Sequence, residues 1–145
     1  MPKKIRNTKA KGTVAENELI HKFWENDWVA VRVAGSGSTR YPSPDIIASC
    51  TFGKVVMEIK VVNDTKKYFP QQEINDLNYF ANQFGAQSWI GVKFKENQWY
   101  FLPTSELEMT RENNYSTTLI KMKRTGFTFD EMNDMIKEIS IDQNQ

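Results

Sequence analysis

Between Val55 and Val61 the chain reads Val-Val-Met-Glu-Ile-Lys-Val, an apolar strand interrupted only at Glu58 and Lys60. Successive side chains of a strand point to opposite faces, so the two charges project together while Met57, Ile59 and Val61 enter the other side. With apolar residues at 58 and 60 this would be a well-buried strand. Two charges sharing one face of such a run therefore require either a solvated face or a site.

The preceding segment supplies a third polar group. Ile46 to Cys50 is a second strand, Phe52-Gly53-Lys54 turns the chain and Val55 to Val61 returns, so a hairpin is expected. Asp45 opens that hairpin directly after Pro44 and a Gly/Ser-rich loop over residues 35–43. If the register pairs them, the tight turn brings the Asp45 carboxylate beside Glu58. Clustered carboxylates repel in a low-dielectric cleft, and a hard divalent ion with oxygen ligands relieves the repulsion. Magnesium fits best, with manganese as a substitute. Such an ion lowers the pKa of a bound water and orients a phosphate, while a lysine at position 60 holds the nucleophile or neutralises the phosphate. The competing reading, a Glu58–Lys60 ion pair on a solvated sheet face, gives no reason for Asp45 to follow Pro44 at the end of a flexible loop.

Glu16 is the remaining acidic candidate. Thr13 with Glu16 three residues later matches a capping box, and Ala15, Leu19 and Phe23 continue at helical spacing to about Asn26. Glu16 also shares a helix face with Ile20 and Phe23, which points it into the same cleft. The pattern is compatible with either role.

A chain of 145 residues with 39% hydrophobic content fits one domain with a real core. No apolar run approaches membrane-spanning length, and the start lacks the hydrophobic centre of a secretory signal, so a soluble, cytoplasmic protein associated with the nucleoid is expected, with no membrane partner. Cys50 stands alone and is read as packing. The net charge is only +1, but its distribution is uneven. Lys3, Lys4, Arg6, Lys9 and Lys11 make residues 1–11 a basic arm without an acid, whereas Asp130, Glu131, Asp134, Glu138 and Asp142 face only Lys137 in the tail. Such an arm is expected to be flexible alone and to order along phosphates, or else to be a plain solvated terminus. Residues 12–145 form the domain proper.

The remaining elements follow from periodicity and punctuation. Trp28 to Val33 alternates as a half-buried strand. Pro70 opens a second helix whose stripe, Ile74, Leu77, Phe80, Ala81 and Phe84, faces the sheet and ends at Gly85. Trp89 to Phe94 and Gln98 to Leu102 are two more strands, Leu119 to Met122 a short edge strand, and Phe129, Met132, Ile136 and Ile139 a closing amphipathic helix. The aromatic residues Tyr68, Phe69, Trp89 and Trp99 are read as core packing ahead of base stacking or a dimer seam. His21 is read as a surface residue.

Pro44-Asp45 followed by Glu58-Ile59-Lys60 resembles the PD-(D/E)xK nuclease signature. With Lys11-Gly12, Ala15-Glu16, Glu18-Leu19, the stretch Val31 to Ser36 and Pro44 to Ala48, the chain is similar to the archaeal-type Holliday junction resolvases from about Lys11 to Pro103, and again over Gly126 to Ile139. The resemblance implies an α/β, single restriction-endonuclease-like domain with a central mixed five-stranded sheet flanked by helices. It implies a homodimer that nicks two strands of a four-way junction symmetrically in DNA recombination and repair. Under it Asp45, Glu58 and the carbonyl of Ile59 would be metal ligands, Lys60 would assist the attacking water, Glu16 would complete the acidic site, and Arg32 would contact phosphate. Ser36 or Ser38, in the loop beside the site, would reach the DNA backbone, Ser36 as a member of the catalytic set. The wider DNA surface would comprise Lys9, Lys11, Arg40, Lys66 and Lys67. Two departures stand out: Asn17 replaces the arginine that many relatives carry after the helix-one glutamate, and the helix-two polar position falls among Gln71, Gln72 and Glu73 without a fixed register. The alternatives are a restriction or repair endonuclease of the same superfamily acting on duplex DNA, and a non-catalytic DNA-binding module of this fold.

Overall fold

The Ile46-to-Val61 hairpin is the centre of the fold. The structure is a computed structural model that describes residues 2–35, 40–95 and 98–143, with side chains for 11–35, 40–95 and 98–138. Strand β2 (Ile46–Cys50) pairs antiparallel with β3 (Gly53–Val61), and β1 (Val29–Arg32) flanks β2. β3 then pairs in parallel with β5 (Gln87–Phe94), which pairs antiparallel with β6 (Gln98–Pro103). The result is the expected mixed five-stranded sheet, in the order β1-β2-β3-β5-β6. A parallel pair needs a crossover. Here it is β4 (Lys66–Phe69) followed by α2 (Gln71–Phe84).

The two faces of the sheet divide as the alternation of β3 dictates. Val55, Met57 and Ile59 pack with Ala30, Ile46, Ala48, Trp89 and Phe101 beneath α1 (Pro2–Glu25) and α4 (Phe129–Gln143). Val56, Ile90, Val92 and Leu102 face the other way, under Ile74, Leu77 and Ala81 of α2. Trp28 ties the layers together: its indole Nε1 donates to Asn133 Oδ1 at 2.7 Å in the core, so α4 is pinned to the start of β1. Phe69 and Trp89 are fully buried, as packing aromatics should be, but Trp99 is half-buried and Tyr68 is exposed.

Several sequence expectations need correction. Helix α1 does not begin at Thr13; it runs continuously from Pro2, so the backbone of the basic arm is helical and Thr13 and Glu16 sit in mid-helix, where no capping box forms. The chain's capping box is at α4 instead. There Thr128 N–H donates to Glu131 Oε1 at 3.0 Å and Glu131 N–H to Thr128 Oγ1 at 3.2 Å, and these bonds lower the Glu131 pKa. Leu119 to Met122 is not an edge strand but part of α3 (Leu119–Thr125), because Thr118 Oγ1 accepts the Lys121 N–H at 3.1 Å and caps a helix there. The strand lies just before it, β8 (Tyr115–Thr118), in a second sheet of order β4-β8-β7 with β7 (Glu108–Met109).

Two apolar patterns also differ in aim. In β1 the valines face out, Val29 and Val31 being 54% and 58% exposed, while Ala30 is buried beneath α1. On α2, Ile74, Leu77 and Ala81 turn to the sheet, but Phe84 does not: it is 42% exposed. The helix ends as expected at Gly85, whose φ of 77° is the left-handed cap conformation and whose N–H bonds to Ala81 O at 2.9 Å. Among the described residues no helix is long and apolar enough to cross a membrane.

Candidate active site

The register of the hairpin decides whether Asp45 and Glu58 meet. Ile46 pairs with Met57, so Asp45 stands opposite Glu58 one step further along, and Asp45 N–H bonds to Met57 O at 2.9 Å. The Asp45 carboxylate is then fixed by the adjacent strand, because Oδ2 accepts the Ile59 N–H at 2.8 Å. A bond from a main-chain donor holds a carboxylate in one orientation without cancelling its charge.

Glu58 and Lys60 leave β3 on the α2 side and line an open cleft of about 550 Å³ with Arg40, Ser43, Glu73 and Asp76. The Lys60 ammonium is 3.7 Å from Glu58 Oε1 and 2.6 Å from Glu73 Oε1, so its closest partner is on α2. Glu73 thus meets both strand residues: its carboxylate pairs with the Lys60 ammonium and lies against the Glu58 carboxyl. Burial pushes the Glu58 carboxyl up to about 9, reinforced by the charges of Asp45 and Glu73 and opposed by Lys60. For Lys60 burial works downward, yet contact with Glu73 and the charges of Glu73, Glu58 and Asp45 outweigh it and hold the ammonium above its ordinary pKa.

On the other side of the hairpin, Glu16 Oε2 accepts a hydrogen bond from Arg32 Nε at 2.6 Å. Burial raises the Glu16 pKa, the Arg32 bond opposes it, and the charge of Asp45 raises it further, so Glu16 senses Asp45 across the hairpin. Among the described residues no three acidic, histidine or cysteine side chains converge at metal-binding spacing. The carboxylates of Asp45 and Glu58 stand opposite each other in the hairpin and are the oxygen donors that could hold an ion here. Such oxygen donors fit a hard divalent cation, whose charge would offset the burial and the Asp45 repulsion that together raise the Glu58 pKa.

The other candidates divide plainly. Arg40 lines the cleft, its guanidinium 5.4 Å from the Tyr41 ring centre. Lys11 and Lys66 are exposed and Lys67 is half-buried on β4. Ser36 and Ser38 lie outside the described residues, as does the side chain of Lys9. Of the three helix-two candidates, Gln72 and Glu73 line the cleft and Glu73 reaches Lys60, a choice the sequence had left open; Asp76, which also lines it, was not singled out. A second cavity of about 460 Å³, between α1, β6 and α4, contains none of the motif residues.

Comparison with known proteins resolves the family. The family described as archaeal Holliday junction resolvase (Hjc) matches residues 7–141. The chain belongs to this family. It is 35% identical over 105 residues, 72% of its length and 77% of the relative's, to a crossover junction endodeoxyribonuclease Hjc of Archaeoglobus fulgidus. To the enzyme of the same name from Methanocaldococcus jannaschii it is 26% identical over 138 residues, covering 95% of this chain and 98% of that one. The 1.6 Å structure of Archaeoglobus fulgidus Hjc, a Holliday junction resolvase, superposes with a TM-score of 0.77 at 29% identity, covering 83% of this chain and 97% of the other. The fold is thus the restriction-endonuclease-like fold of the resolvase family, and the chain is a nuclease of the hydrolase class. Family membership implies divalent-metal dependence.

Proposed function

We propose that this resolvase-family chain is a structure-selective endonuclease that resolves four-way DNA junctions as a homodimer, with magnesium as its ion. The observation that carries the reading is the hairpin register, which sets Asp45 against Glu58 and puts Lys60 in the same cleft. Magnesium bound by Asp45, Glu58 and the Ile59 carbonyl would supply a water of lowered pKa and a positive charge beside the phosphate. The protein's own residues do the rest. The Ile59 N–H keeps Asp45 oriented, Lys60 offers its ammonium to the water or the phosphate oxygen, and Glu16 holds the Arg32 guanidinium beside the pair for phosphate contact. Arg40, Lys66, Lys67 and the basic first turns of α1 extend the phosphate-binding surface. Contacts of this kind read backbone geometry rather than bases, so selectivity comes from the separation and angle of two sites.

The second site requires a second copy, and an apolar face is available for it. Val29 and Val31 on β1 lie on the face of the sheet that α2 covers only in part, beside half-buried Ile47. Tyr41, Pro42, Tyr79, Phe80 and Phe84 enclose an apolar hollow of about 310 Å³ that adjoins the catalytic cleft through Tyr41 and Pro42. We assign this surface to the partner copy, because an apolar seam touching the cleft fixes the distance between the two sites. Replacing exposed Tyr79 and Phe84 together by Glu should leave the monomer folded and weaken self-association by roughly 100-fold or more, since each buries an unpaired charge. Sedimentation at micromolar concentration reads the result. A double variant that stays as dimeric as the parent places the seam elsewhere.

The reading as a whole is tested by labelling each strand of a junction in turn. Paired nicks in two opposite strands support it, whereas a single strand cut without its opposite contradicts two coupled sites.

A further inference from the structure

Glu73 occupies the third position of α2, where a glutamate ordinarily reaches back to the N–H of the capping residue. That residue is Pro70, which has no N–H and makes no side-chain cap. The local partner is therefore missing by construction. Glu73 extends instead across the cleft to Lys60, 2.6 Å away and nearer than the 3.7 Å separating Lys60 from Glu58. The helix that carries it is fixed in register. Asn78, five residues on, accepts hydrogen bonds at Oδ1 from Ser88 Oγ of β5 and Thr104 Oγ1, both at 2.7 Å, and the two hydroxyls are 2.6 Å apart. Ser88 in turn pairs with Val56, two residues before Glu58 on the catalytic strand. A chain of rigid contacts thus runs from β3 through β5 and α2 back to Lys60.

We propose that Glu73 is the positioning residue for Lys60, holding its ammonium at the Asp45–Glu58 pair before DNA arrives and standing in for the phosphate oxygen that later takes its place. A free lysine side chain samples many rotamers, and a cleft that must meet a scissile phosphate gains from having that search completed beforehand. Because the carboxylate is anionic, it repels phosphate and makes no contact of its own with DNA. The inference rests on the nuclease reading of this cleft and adds to it a residue that the motif does not contain.

The test compares Glu73→Ala and Glu73→Gln with the parent, at saturating protein and with magnesium, on whichever DNA the parent cuts. Glu73→Ala is expected to slow single-turnover cleavage by roughly 10- to 100-fold while the dissociation constant for that DNA, measured without metal, stays within about threefold or tightens. Glu73→Gln keeps an oxygen for the ammonium and should recover most of the rate. A readout independent of activity accompanies these: the 13Cε signal of Lys60 in the metal-free protein should move to the position of exposed lysines in Glu73→Ala and stay dispersed in Glu73→Gln. An unmoved Lys60 signal with parental cleavage overturns the proposal, as does an equal loss of rate in both variants. A parent that cuts linear duplex as well as junction would sink the junction reading alone and leave the Glu73 comparison intact.

Discussion

Asp45→Asn should reduce junction cleavage by at least about a thousandfold while changing junction affinity in metal-free buffer by no more than about threefold. The asymmetry follows from the two jobs of this carboxylate. Its Oδ2 accepts the Ile59 N–H, and an asparagine oxygen can make the same bond, so the hairpin is kept. What is lost is the negative charge opposite Glu58, and with it the donor for a divalent cation. Glu58→Gln should behave alike, because its side chain faces the cleft rather than the core. Single-turnover rates and a gel-shift titration on the same junction measure both halves. A parallel loss of binding would show that these carboxylates serve the DNA as much as the metal.

The second large effect is on stability and depends on pH. Glu58 holds its proton in the native metal-free protein up to about 9, whereas the unfolded chain releases it near the ordinary value of 4.5. Between those values the native state binds more protons than the unfolded state, so stability from this group is complete below 4.5 and is lost as pH rises towards 9. Each pH unit that separates the folded from the unfolded pKa corresponds to about 1.4 kcal/mol, so even part of this separation moves Tm by several degrees. Magnesium competes with that proton. It should therefore raise Tm by roughly 5 °C or more at about pH 8.5 and by much less at about pH 6. Glu58→Gln should flatten the metal-free pH profile and abolish the magnesium effect. Equal magnesium effects on Tm at both pH values would place the ion away from Glu58.

What the sequence made legible was decided by neighbours close along the chain. The β2–β3 hairpin has a short turn and clear alternation, so Asp45, Glu58 and Lys60 could be brought together from residues alone. Elements that depend on distant partners were not legible. Lys66-Lys67-Tyr68-Phe69 is polar enough to read as loop, and becomes a strand only through Tyr115 to Thr118, far along the chain. Thr13 and Glu16 offer a capping pattern, but nothing near them stops a helix, and the segment before them continues it; the same pattern at Thr128 and Glu131 caps because a bridge between Phe101 and Phe127 precedes it. The Glu73 contact had a readable signal in the proline at the helix start. Its target did not, since which polar residue of α2 meets Lys60 depends on the rotation of α2 over the sheet, fixed by Asn78, Ser88 and Thr104.

Selectivity for branched DNA should show as a difference in rate between two substrates. A four-way junction and a linear duplex of matched sequence are each incubated with the protein and magnesium, and initial cleavage rates are compared. The junction should be cut rapidly and the duplex at least about a hundredfold more slowly, because only the junction presents two strands at the spacing of the paired sites. Duplex cut as fast as junction would contradict this selectivity.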